Sequence, residues 1–594
     1  MKYLDPTIMP IHEQPLAEGP RSATTEPGAY WVITLFVFCI WILFVNLGVM
    51  ALFEPDEGRN AEIAREILLL KDWVTPHYDF IPRLDKPMLF FNLIAFSYKL
   101  FGVSEWSARL PSALAALGCI GLIYYFSRAL FGRWAALWSG LVLITSPEFF
   151  ALSRVVILEM TLTLFMTIAL CGFFLGQRAV GRRKKRALFL LMYPAMGVAT
   201  LVKGPVGFLL PAMVIFAYLL LSRSWRLIRE MELPLGIPLF LLTAAPWYVL
   251  TELRNPGYLN YFLWDENVSR FATTRFHRSG AWYYFIGVLA AGFFPWTILL
   301  PNAIADLWKR RAEEKRLFLI LWAALPLLFF SLSSSKLPHY ILFVYPPVAA
   351  IVGAAIANLL GQSSAKPPLV LSFSSGVFVL LALITTLVTL WPAFLPHPIR
   401  SYVYDTFPQI IFPFVGSAIL TFLGVLAVKR GLWTRRIFLY AATGVGFASF
   451  ILVATPIVTK ISLDRSSKQL AEKVASFIGA DDQLILYGGY PSSLPFYLNI
   501  QRPMWVVWSG RKGKQVLGSD YVAARQPEPA AGYGQILFTG EEFAELWKTS
   551  KNRFLIFVDG GALKRFGTLI GTQPRILFEF GDTVLIESKG TDRN

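Results

Sequence analysis

The chain has 594 residues, of which 55% are hydrophobic, 15% aromatic and 16% charged. Soluble proteins carry about 25% charged residues, so this composition is typical of a membrane protein and excludes an ordinary soluble domain. The formal net charge of +17 would be compatible with binding to a nucleic acid. However, the basic residues lie in short segments between apolar runs, where they are better explained as topology signals, and no nucleic-acid partner is predicted.

The apolar runs predict about 13 transmembrane helices, because a helix needs about 20 apolar residues to cross a bilayer. These runs recur over the first three quarters of the sequence, and several of them are short. The predicted spans are 31–52, 108–126, 134–146, 156–176, 187–202, 205–221, 234–252, 282–304, 317–332, 341–358, 368–393, 409–427 and 437–459.

The distribution of Lys and Arg between the spans predicts their orientation. Basic segments such as GRRKKR, at 181–186, alternate with connections that carry few cations. By the positive-inside rule the basic set is cytoplasmic, and an odd number of spans then puts the end of the chain on the other side. The expected parts are a cytoplasmic tail (1–29), a transmembrane domain (30–459) with extracytoplasmic loops 53–107 and 254–281, and a periplasmic domain (460–594).

The sequence of the first of these loops predicts an amphipathic helix that lies along the extracytoplasmic face of the membrane. Its apolar residues Ile63, Ile67 and Leu70 recur at helical spacing opposite charged ones. The second loop is aromatic and polar, which suits the headgroup layer.

The C-terminal tail predicts a small α/β domain, because short apolar strands alternate with helical stretches. No glycine-rich phosphate-binding motif opens any of its helices, so no nucleotide site is predicted there. The predicted strands are 484–489, 504–508, 553–560 and 575–580, and the predicted helices are 466–478 and 540–549.

Ionisable residues are nearly absent from the predicted helix interiors, which argues against an ion-coupled transporter. They gather instead at the outer ends of six segments that are far apart in sequence. Membrane topology brings these ends to one level, where they can line a shared cavity. The residues are Asp56, Glu57 and Arg59; Arg83 and Lys86; Arg154 and Glu159; Lys203; Arg270 and His277; and Lys336, His339 and Tyr340.

The mixture of charges at this level suits transfer of a sugar from a lipid phosphate. Carboxylates can orient or deprotonate an acceptor, while cations stabilise the departing phosphate. Glu159 lies in the apolar run VVILEMTLTLF, where an unpaired carboxylate is costly, so a functional or paired role is predicted, with Arg154 as the nearest candidate partner. Two structural readings stay open: Asp56 as an acid that favours a helix N-terminus, and Lys86 as a snorkelling side chain.

Five motifs in order between residues 30 and 350 resemble those of the bacterial aminoarabinose transferase family and the related protein O-mannosyltransferases. These are GT-C glycosyltransferases that use polyprenyl-phosphate sugars, and the α/β tail is similar to the periplasmic domain of the aminoarabinose transferases. The motifs are EPDEGRNAEIAREILLLKDWVTPHYDFIPRLDKPMLFF, SRVVILEMTLTLF, LVKGPVGF, RFHRSGAWYYF and SKLPHYILFVYPP.

The resemblance implies that Asp56 is the principal catalytic acidic residue and that Lys86 and Arg270 hold the donor phosphate. It makes Glu159 a second catalytic carboxylate, at a position where many aminoarabinose transferases have Asp and protein mannosyltransferases often have Glu, which leaves the acceptor open. The predicted site further includes Arg59 and Arg83 at the phosphate, and Glu57, Lys203, Lys336, His339, Tyr340 and Tyr345 in the acceptor cavity.

No cofactor is predicted to be required. A divalent metal stays open as an alternative, with His277 as a weak candidate ligand, because no zinc-type spacing of ligands accompanies it.

The sequence thus predicts an inverting glycosyltransferase at the periplasmic face of the inner membrane. Its partners would be membrane lipids, a polyprenyl-phosphate sugar such as undecaprenyl-phosphate 4-amino-4-deoxy-L-arabinose, and lipid A or another cell-envelope acceptor. The close alternative is a protein O-mannosyltransferase or another envelope glycosyltransferase with the same kind of donor. A lipid flippase or exporter, and a non-catalytic lipid-binding protein, are the more distant alternatives.

Overall fold

The computed structural model describes residues 27–272, 280–361, 380, 435–479, 481–508, 517–550 and 552–588. Helices, most of them apolar, make up most of the described chain as far as residue 464, and a mixed α/β domain follows them. The predicted spans 368–393 and 409–427 lie outside the described residues, apart from residue 380.

Within these residues, 6 helices are long and apolar enough to cross a membrane. Two pairs of consecutive helices also reach that length together, but they bend by 67° and 111° at a break. The chain is therefore a multi-pass membrane protein, as predicted, while the total of about 13 spans stays a prediction. The 6 helices are Glu105–Phe131, Leu158–Arg178, Arg182–Lys203, Leu233–Arg254, Glu314–Leu332 and Pro338–Leu360.

The first predicted span, 31–52, is too long, because its helix covers only Ala29–Phe44. The apolar run continues, but the carbonyls of Leu47, Met50 and Ala51 accept hydrogen bonds from the guanidinium of Arg109 instead of closing helical turns. Hydropathy alone does not show that these carbonyls bond to Arg109 rather than to amides of a continuing helix.

The structure contains the following regular elements, numbered in chain order. The helices are α1 (Ala29–Phe44), α2 (Asp56–Leu70), α3 (Leu89–Phe101), α4 (Glu105–Phe131), α5 (Arg133–Ile144), α6 (Pro147–Ser153), α7 (Leu158–Arg178), α8 (Arg182–Lys203), α9 (Val206–Ser222), α10 (Leu227–Glu230), α11 (Leu233–Arg254), α12 (Tyr258–Asn260), α13 (Arg270–Ala272), α14 (Tyr284–Gly292), α15 (Leu300–Lys309), α16 (Glu314–Leu332), α17 (Tyr345–Gly361), α18 (Arg435–Asp464), α19 (Lys468–Val474), α20 (Leu494–Leu498), α21 (Asp520–Arg525), α22 (Gly540–Thr549) and α23 (Leu563–Ile570). The strands are β1 (His77–Tyr78), β2 (Ile81–Pro82), β3 (Gln483–Tyr487), β4 (Trp505–Trp508), β5 (Leu537–Thr539), β6 (Phe554–Asp559), β7 (Arg575–Phe580) and β8 (Thr583–Glu587), and a π-helix covers Tyr261–Ser269.

The C-terminal domain is the small α/β domain that the sequence predicts. Its sheet has 6 strands in the order β5-β4-β3-β6-β8-β7. The first four of these strands are parallel, and β7 and β8 pair antiparallel with each other, with β8 also antiparallel to β6. Parallel strands of this kind are buried on both faces, which explains their almost continuous apolar sequences.

The two faces of the sheet pack against different partners, because successive side chains of a strand point to opposite sides. Ile485 and Ile556 belong to a core cluster that the domain's own helices α22 and α23 cover. Leu484, Leu486 and Phe557 belong instead to the large cluster that runs on into the membrane-embedded helices. The domain is therefore seated on one end of the helices.

Helix α2 lies under this domain rather than on the membrane surface, which corrects the prediction of an interfacial helix. Its charged residues Glu62, Arg65 and Glu66 are buried. Arg65 binds both oxygens of Glu62 at 2.7 and 2.8 Å and donates to the side chain of Asn499 and the carbonyl of Ile500. The sequence predicts that the polar face of α2 contacts water, but the C-terminal domain covers it and supplies its hydrogen-bond partners.

Glu66 also holds the turn between β1 and β2. Its two oxygens accept the amides of Asp79 (2.7 Å) and Phe80 (3.0 Å), both of which have positive φ. Asp79 in turn accepts the amide of Met504 at 2.8 Å, which ties the turn to the C-terminal domain. Burial raises the pKa of Asp79 well above its ordinary value, and the charge of Glu62 adds to this effect although the Met504 amide opposes it.

This raised pKa makes stability depend on pH. The folded protein keeps a proton on Asp79 at a pH where the unfolded chain has lost it, so the free energy of unfolding falls as the pH rises through the folded-state pKa. We expect Asp79→Asn to flatten the decline in thermal stability between pH 5 and 8.5 and to match or exceed the wild type at the upper end. Asn tolerates the left-handed backbone and keeps an acceptor for Met504.

The measurement is thermal unfolding in detergent across that pH range, with the exposed Glu528→Gln as a control of the same charge change. Equal slopes in the wild type and Asp79→Asn would show that Asp79 does not carry the dependence.

Candidate active site

The start of α2 is fixed by a buried guanidinium. Arg109 in α4 is fully buried and binds both oxygens of Glu57 at 3.0 and 2.8 Å. Its other donors reach main-chain carbonyls in the segment that follows α1. Glu57 also accepts the amide of Val156, just before α7, at 2.8 Å. One ion pair therefore joins the segments that carry Asp56 and Glu159.

A cavity of about 750 Å³ opens at this end of the helices. Its polar lining comes from α2, the segment before α3, the start of α7, the end of α8 and the π-helix, and the C-terminal domain closes it from above. Its apolar lining includes Leu209, Trp264, Phe329 and Phe330. The cavity therefore combines charged groups with a surface suited to a lipid.

The cations that line the cavity are paired with carboxylates. Arg59 binds Asp56 within α2, and Lys86 binds Glu266 of the π-helix. Asp56 is the most open of these carboxylates, with 56% of its side chain exposed.

Another carboxylate that lines the cavity, Glu159, is held by two segments. Its Oε1 accepts Lys203 Nζ at 2.6 Å and lies 3.4 Å from His339 Nε2. Its Oε2 is buried without a hydrogen-bond partner. Lys203 also lies over the ring of Tyr340, 4.4 Å from its centroid. The carboxylate is thus fixed in place through Oε1, while its Oε2 makes no hydrogen bond to a described residue.

The C-terminal domain holds the segment that bears Lys86. Arg83 donates to the carbonyls of Leu517 (2.6 Å) and Gly518 (2.7 Å) and binds Asp85 at 2.9 Å. Asp85 accepts the hydroxyl of Ser519 at 2.9 Å. Burial disfavours the ionised form of Asp85, but Arg83, Lys86 and hydroxyl donors outweigh it and hold the pKa of Asp85 below its ordinary value.

Most of the residues predicted from the sequence are brought together by the structure. The predicted residues that line the cavity are Asp56, Arg59, Arg83, Lys86, Glu159, Lys203, His339 and Tyr340.

Three others do not line it. Glu57 is turned away into the bond with Arg109, so its place is structural. Lys336 donates to the carbonyl of Ser333 at 2.5 Å. Tyr345 is buried and bonds to Glu148 at 2.5 Å. In each case the polar group is hydrogen-bonded to a nearby partner that is not apparent from the sequence.

The predicted pairing of Glu159 with Arg154 is wrong, because Glu159 pairs with Lys203. Arg154 donates instead to three carbonyls at the end of α1, those of Ile42, Leu43 and Val45. A guanidinium can satisfy several carbonyls at once, and these are left open where the helix ends.

Two predictions concern the loop 254–281. Arg270 begins α13, next to the lining residues Phe271 and Ala272, and its side chain lies outside what the structure describes. His277 lies outside the described residues altogether. Among the residues that are described, no group of three or more His, Cys, Asp or Glu side chains could hold a metal ion.

Sequence reasoning missed Glu266, which lines the cavity and binds Lys86 from 180 positions away. It also missed the contribution of the C-terminal domain, through Tyr490, Ser492 and the segment 517–520. The acidic run WDEN inside an aromatic loop was a signal for Glu266, whereas none of these C-terminal residues belongs to a recognisable motif.

Known proteins are similar to this chain in both sequence and fold. Residues 85–249 match the family model of dolichyl-phosphate-mannose-protein mannosyltransferase. The chain is 32% identical, over 409 residues, to the undecaprenyl phosphate-α-4-amino-4-deoxy-L-arabinose arabinosyl transferase of Aeromonas salmonicida, covering 68% of this chain and 73% of that relative. It is 30% identical over 332 residues to the enzyme of the same name from Edwardsiella ictaluri, covering 56% of this chain and spanning 60% of that relative's length.

The fold is similar to that of ArnT from Cupriavidus metallidurans bound to undecaprenyl phosphate. The TM-score is 0.79 at 26% identity, covering 95% of this chain and 98% of that one. The apo form of the same protein gives 0.78 at 26% identity, covering 94% and 98%. The family resemblance inferred from the five motifs, and the GT-C fold that it implies, are confirmed.

Helix α2 approaches the C-terminal domain closely at Gly58. A Cβ there would lie 2.5 Å from the Cβ and 2.7 Å from the Cα of Ser493. Ser493 meanwhile donates its amide and hydroxyl to Glu54 at 3.2 and 2.7 Å, so the domain cannot withdraw without losing these bonds. A backbone contact of this kind leaves no room for a side chain.

We expect Gly58→Ala to loosen the domain and to reduce transferase activity at least tenfold, although Ala favours an isolated helix by about 1 kcal/mol. Limited proteolysis near residue 466 measures the loosening, and a transfer assay on the purified protein measures the activity. Gly287→Ala is the matched control, because that helical glycine has nothing within 4 Å. An unchanged protease pattern together with wild-type activity would refute the tight contact.

Proposed function

Because the chain belongs to the family of undecaprenyl phosphate-α-4-amino-4-deoxy-L-arabinose arabinosyl transferases, we propose that it transfers this amino sugar from undecaprenyl phosphate to a lipid A-like acceptor. The observation that carries the proposal is the cavity at one end of the helices, where paired cations and carboxylates meet an apolar wall. Such a wall accepts part of a polyprenyl chain, and the charges meet its headgroup.

The donor phosphate takes the cationic side of the cavity. Lys86, Arg59 and Arg83 all line it. Ammonium and guanidinium groups bind phosphate oxygens through charge-assisted hydrogen bonds, and they stabilise the charge that grows on the phosphate as it leaves. Arg270 is proposed to join them, since the two residues that follow it in α13, Phe271 and Ala272, line the cavity.

The reaction is an inverting displacement at the sugar C1. The bond between C1 and the phosphate oxygen breaks, and its electron pair leaves with the phosphate. An acceptor oxygen forms the new bond to C1 from the opposite face of the ring. A phosphate acceptor is already ionised and needs no general base, so Asp56 then stabilises the positive charge that develops on the sugar. A hydroxyl acceptor would instead give its proton to Asp56.

Glu159 is proposed to bind the sugar rather than to move a proton. Lys203 and His339 fix its Oε1, which keeps the group in one orientation. Its buried Oε2 has no hydrogen-bond partner, and a buried carboxylate oxygen in that state is costly unless a ligand donates to it. A hydroxyl or ammonium group of the donor supplies such a partner.

We propose that the cavity and the domain over residues 460–594 face the periplasm. The basic segments between helices support a cytoplasmic location for the opposite end of the bundle. Since nucleotide sugars are made in the cytoplasm, a lipid-borne donor suits an enzyme that works on the other side.

A protein O-mannosyltransferase is the second candidate. The match of residues 85–249 to the mannosyltransferase family model favours it, and so does Glu at position 159, which those enzymes often have. The donor chemistry would be the same, and the acceptor would be a Ser or Thr hydroxyl.

Mass spectrometry of cells with and without this gene separates the two. We expect lipid A to gain the mass of one amino sugar only when the gene is present, with glycoproteins and polysaccharides unchanged. Gene-dependent mannose on proteins, with unmodified lipid A, would favour the second candidate instead.

The role of Asp56 is tested by Asp56→Asn in a transfer assay with purified donor and acceptor. We expect the variant to fold and to bind undecaprenyl phosphate, but to transfer the sugar about 100-fold more slowly or worse. Glu57→Gln is the contrasting neighbour, because it leaves Arg109 buried without its counter-ion and should cost about 3–5 kcal/mol of stability. Wild-type turnover by Asp56→Asn would refute its assignment.

A further inference from the structure

Ser335 lines the cavity and carries a buried hydroxyl that no group in the described part of the chain binds. Only 3% of the residue is exposed, and its Oγ has no hydrogen-bond partner there. Its main-chain groups are both engaged, because the amide donates to Ser333 Oγ at 3.3 Å and the carbonyl accepts the same hydroxyl at 3.2 Å. The side-chain hydroxyl is therefore the polar group that Ser335 can offer to a ligand.

The segment that bears Ser335 is held in place by its neighbours. The amide of Ser334 donates at 3.0 Å to the carbonyl of Phe271, which lines the cavity from α13. The ammonium group of Lys336 donates to the carbonyl of Ser333 at 2.5 Å. These bonds fix the chain directly after α16, and none of them uses the hydroxyl of Ser335. The hydroxyl is thus presented at a defined position without having a part in holding the segment.

Ser335 is linked to Glu159 through His339, which follows Ser335 by four positions and lies 3.4 Å from Glu159 Oε1. Glu159 Oε2 lines the same cavity and is likewise buried without a hydrogen-bond partner among the described residues. The nearby cation Lys203 is already bound to Glu159 at 2.6 Å. This side of the cavity therefore offers a carboxylate oxygen that only accepts hydrogen bonds and a hydroxyl that both donates and accepts.

A sugar fits these two groups better than a phosphate does. A phosphodiester has no hydrogen to donate to Glu159 Oε2, and its charge repels the carboxylate. A sugar carries several hydroxyl groups, which can donate to one of the two groups and bond to the other, and a buried polar group that finds no such partner is costly.

We propose that Ser335 is a specificity-determining residue whose hydroxyl binds a ring hydroxyl of the donor sugar, while Glu159 Oε2 accepts a hydrogen bond from another group of the same sugar. This inference rests on the proposed function, and it adds a residue that recognises the sugar rather than the phosphate or the lipid chain.

Ser127 in α4 provides a matched control for burial. Its hydroxyl is also buried and has no hydrogen-bond partner in the described part of the chain, but the residue does not line the cavity. A ligand in the cavity therefore does not reach it. Comparing Ser335→Ala with Ser127→Ala separates contact with a ligand from the general effect of removing a buried hydroxyl.

Ser335→Ala tests the proposal in the full-length protein in detergent. We expect the Tm of the empty protein not to fall, because the hydroxyl holds no described bond. Binding of undecaprenyl phosphate, which carries no sugar, should be unchanged. With the purified aminated donor and a lipid A acceptor, kcat/KM should fall about 3- to 10-fold, the effect of losing one hydrogen bond between uncharged groups. Ser127→Ala should leave all three quantities unchanged.

Donor analogues that lack one ring hydroxyl identify the contact. The 2-deoxy and 3-deoxy forms of the aminated donor each remove one hydroxyl from the sugar. For the analogue that lacks the hydroxyl bound by Ser335, Ser335→Ala should cause no further loss of kcat/KM, because the interaction is already gone. The other analogue should show the full loss.

Four results would overturn the inference and leave the proposed function standing: wild-type kcat/KM in Ser335→Ala, weaker binding of undecaprenyl phosphate by this variant, a lower Tm of the empty variant, or the full loss with both analogues. A wild-type protein that transfers no sugar from the aminated donor contradicts the proposed function itself, and the inference with it.

Discussion

The bond between Arg109 and Glu57 fixes the geometry on which the site depends. All five N–H donors of the guanidinium are used, two on Glu57 and three on main-chain carbonyls after α1. Removing two charges from water is costly, and such a pair is retained only when its hydrogen bonds are complete. Asp56 directly precedes Glu57, and Glu159 follows the Val156 amide that Glu57 accepts by three positions. A single buried pair thus sets the spacing of Asp56 and Glu159.

The C-terminal domain provides the second constraint. It covers the polar face of α2, binds the turn between β1 and β2, and holds Arg83 and Asp85 through the segment 517–519. These contacts are hydrogen bonds between buried groups, so separation of the domain would leave donors and acceptors unpaired. The site is consequently a composite: Asp56 and Glu159 are fixed by the membrane helices, and the segment that bears Arg83 and Lys86 is held by the domain above them. A headgroup that enters from the lipid meets both at one level.

Much of this arrangement could be predicted from the sequence, because hydropathy and motif order carry the information. The helices at 105–131, 158–178 and 314–332, and the α/β domain, lie where the apolar patterns put them. The cavity also gathers Asp56, Lys86 and Glu159, as the membrane topology required.

What could not be predicted is the choice of partner. Arg154 is five positions from Glu159, yet it binds carbonyls of α1 while Lys203, 44 positions away, takes the carboxylate. Lys86 and Glu266 likewise meet only in the folded chain. Periodicity indicates which face of α2 is polar, but not that a domain more than 400 positions later covers it. Such pairings depend on tertiary approach, which has no local signature.

The central claim is that the phosphate of a lipid-borne donor binds in this cavity, between the membrane helices and the C-terminal domain. An experimental structure of the protein in lipid nanodiscs with undecaprenyl phosphate tests it most directly. The account predicts phosphate density within hydrogen-bond distance of Lys86 Nζ, at the level of Asp56 and Glu159, with the lipid chain along the apolar wall. Phosphate density at the basic segment 182–186, at the opposite end of the bundle, would contradict it.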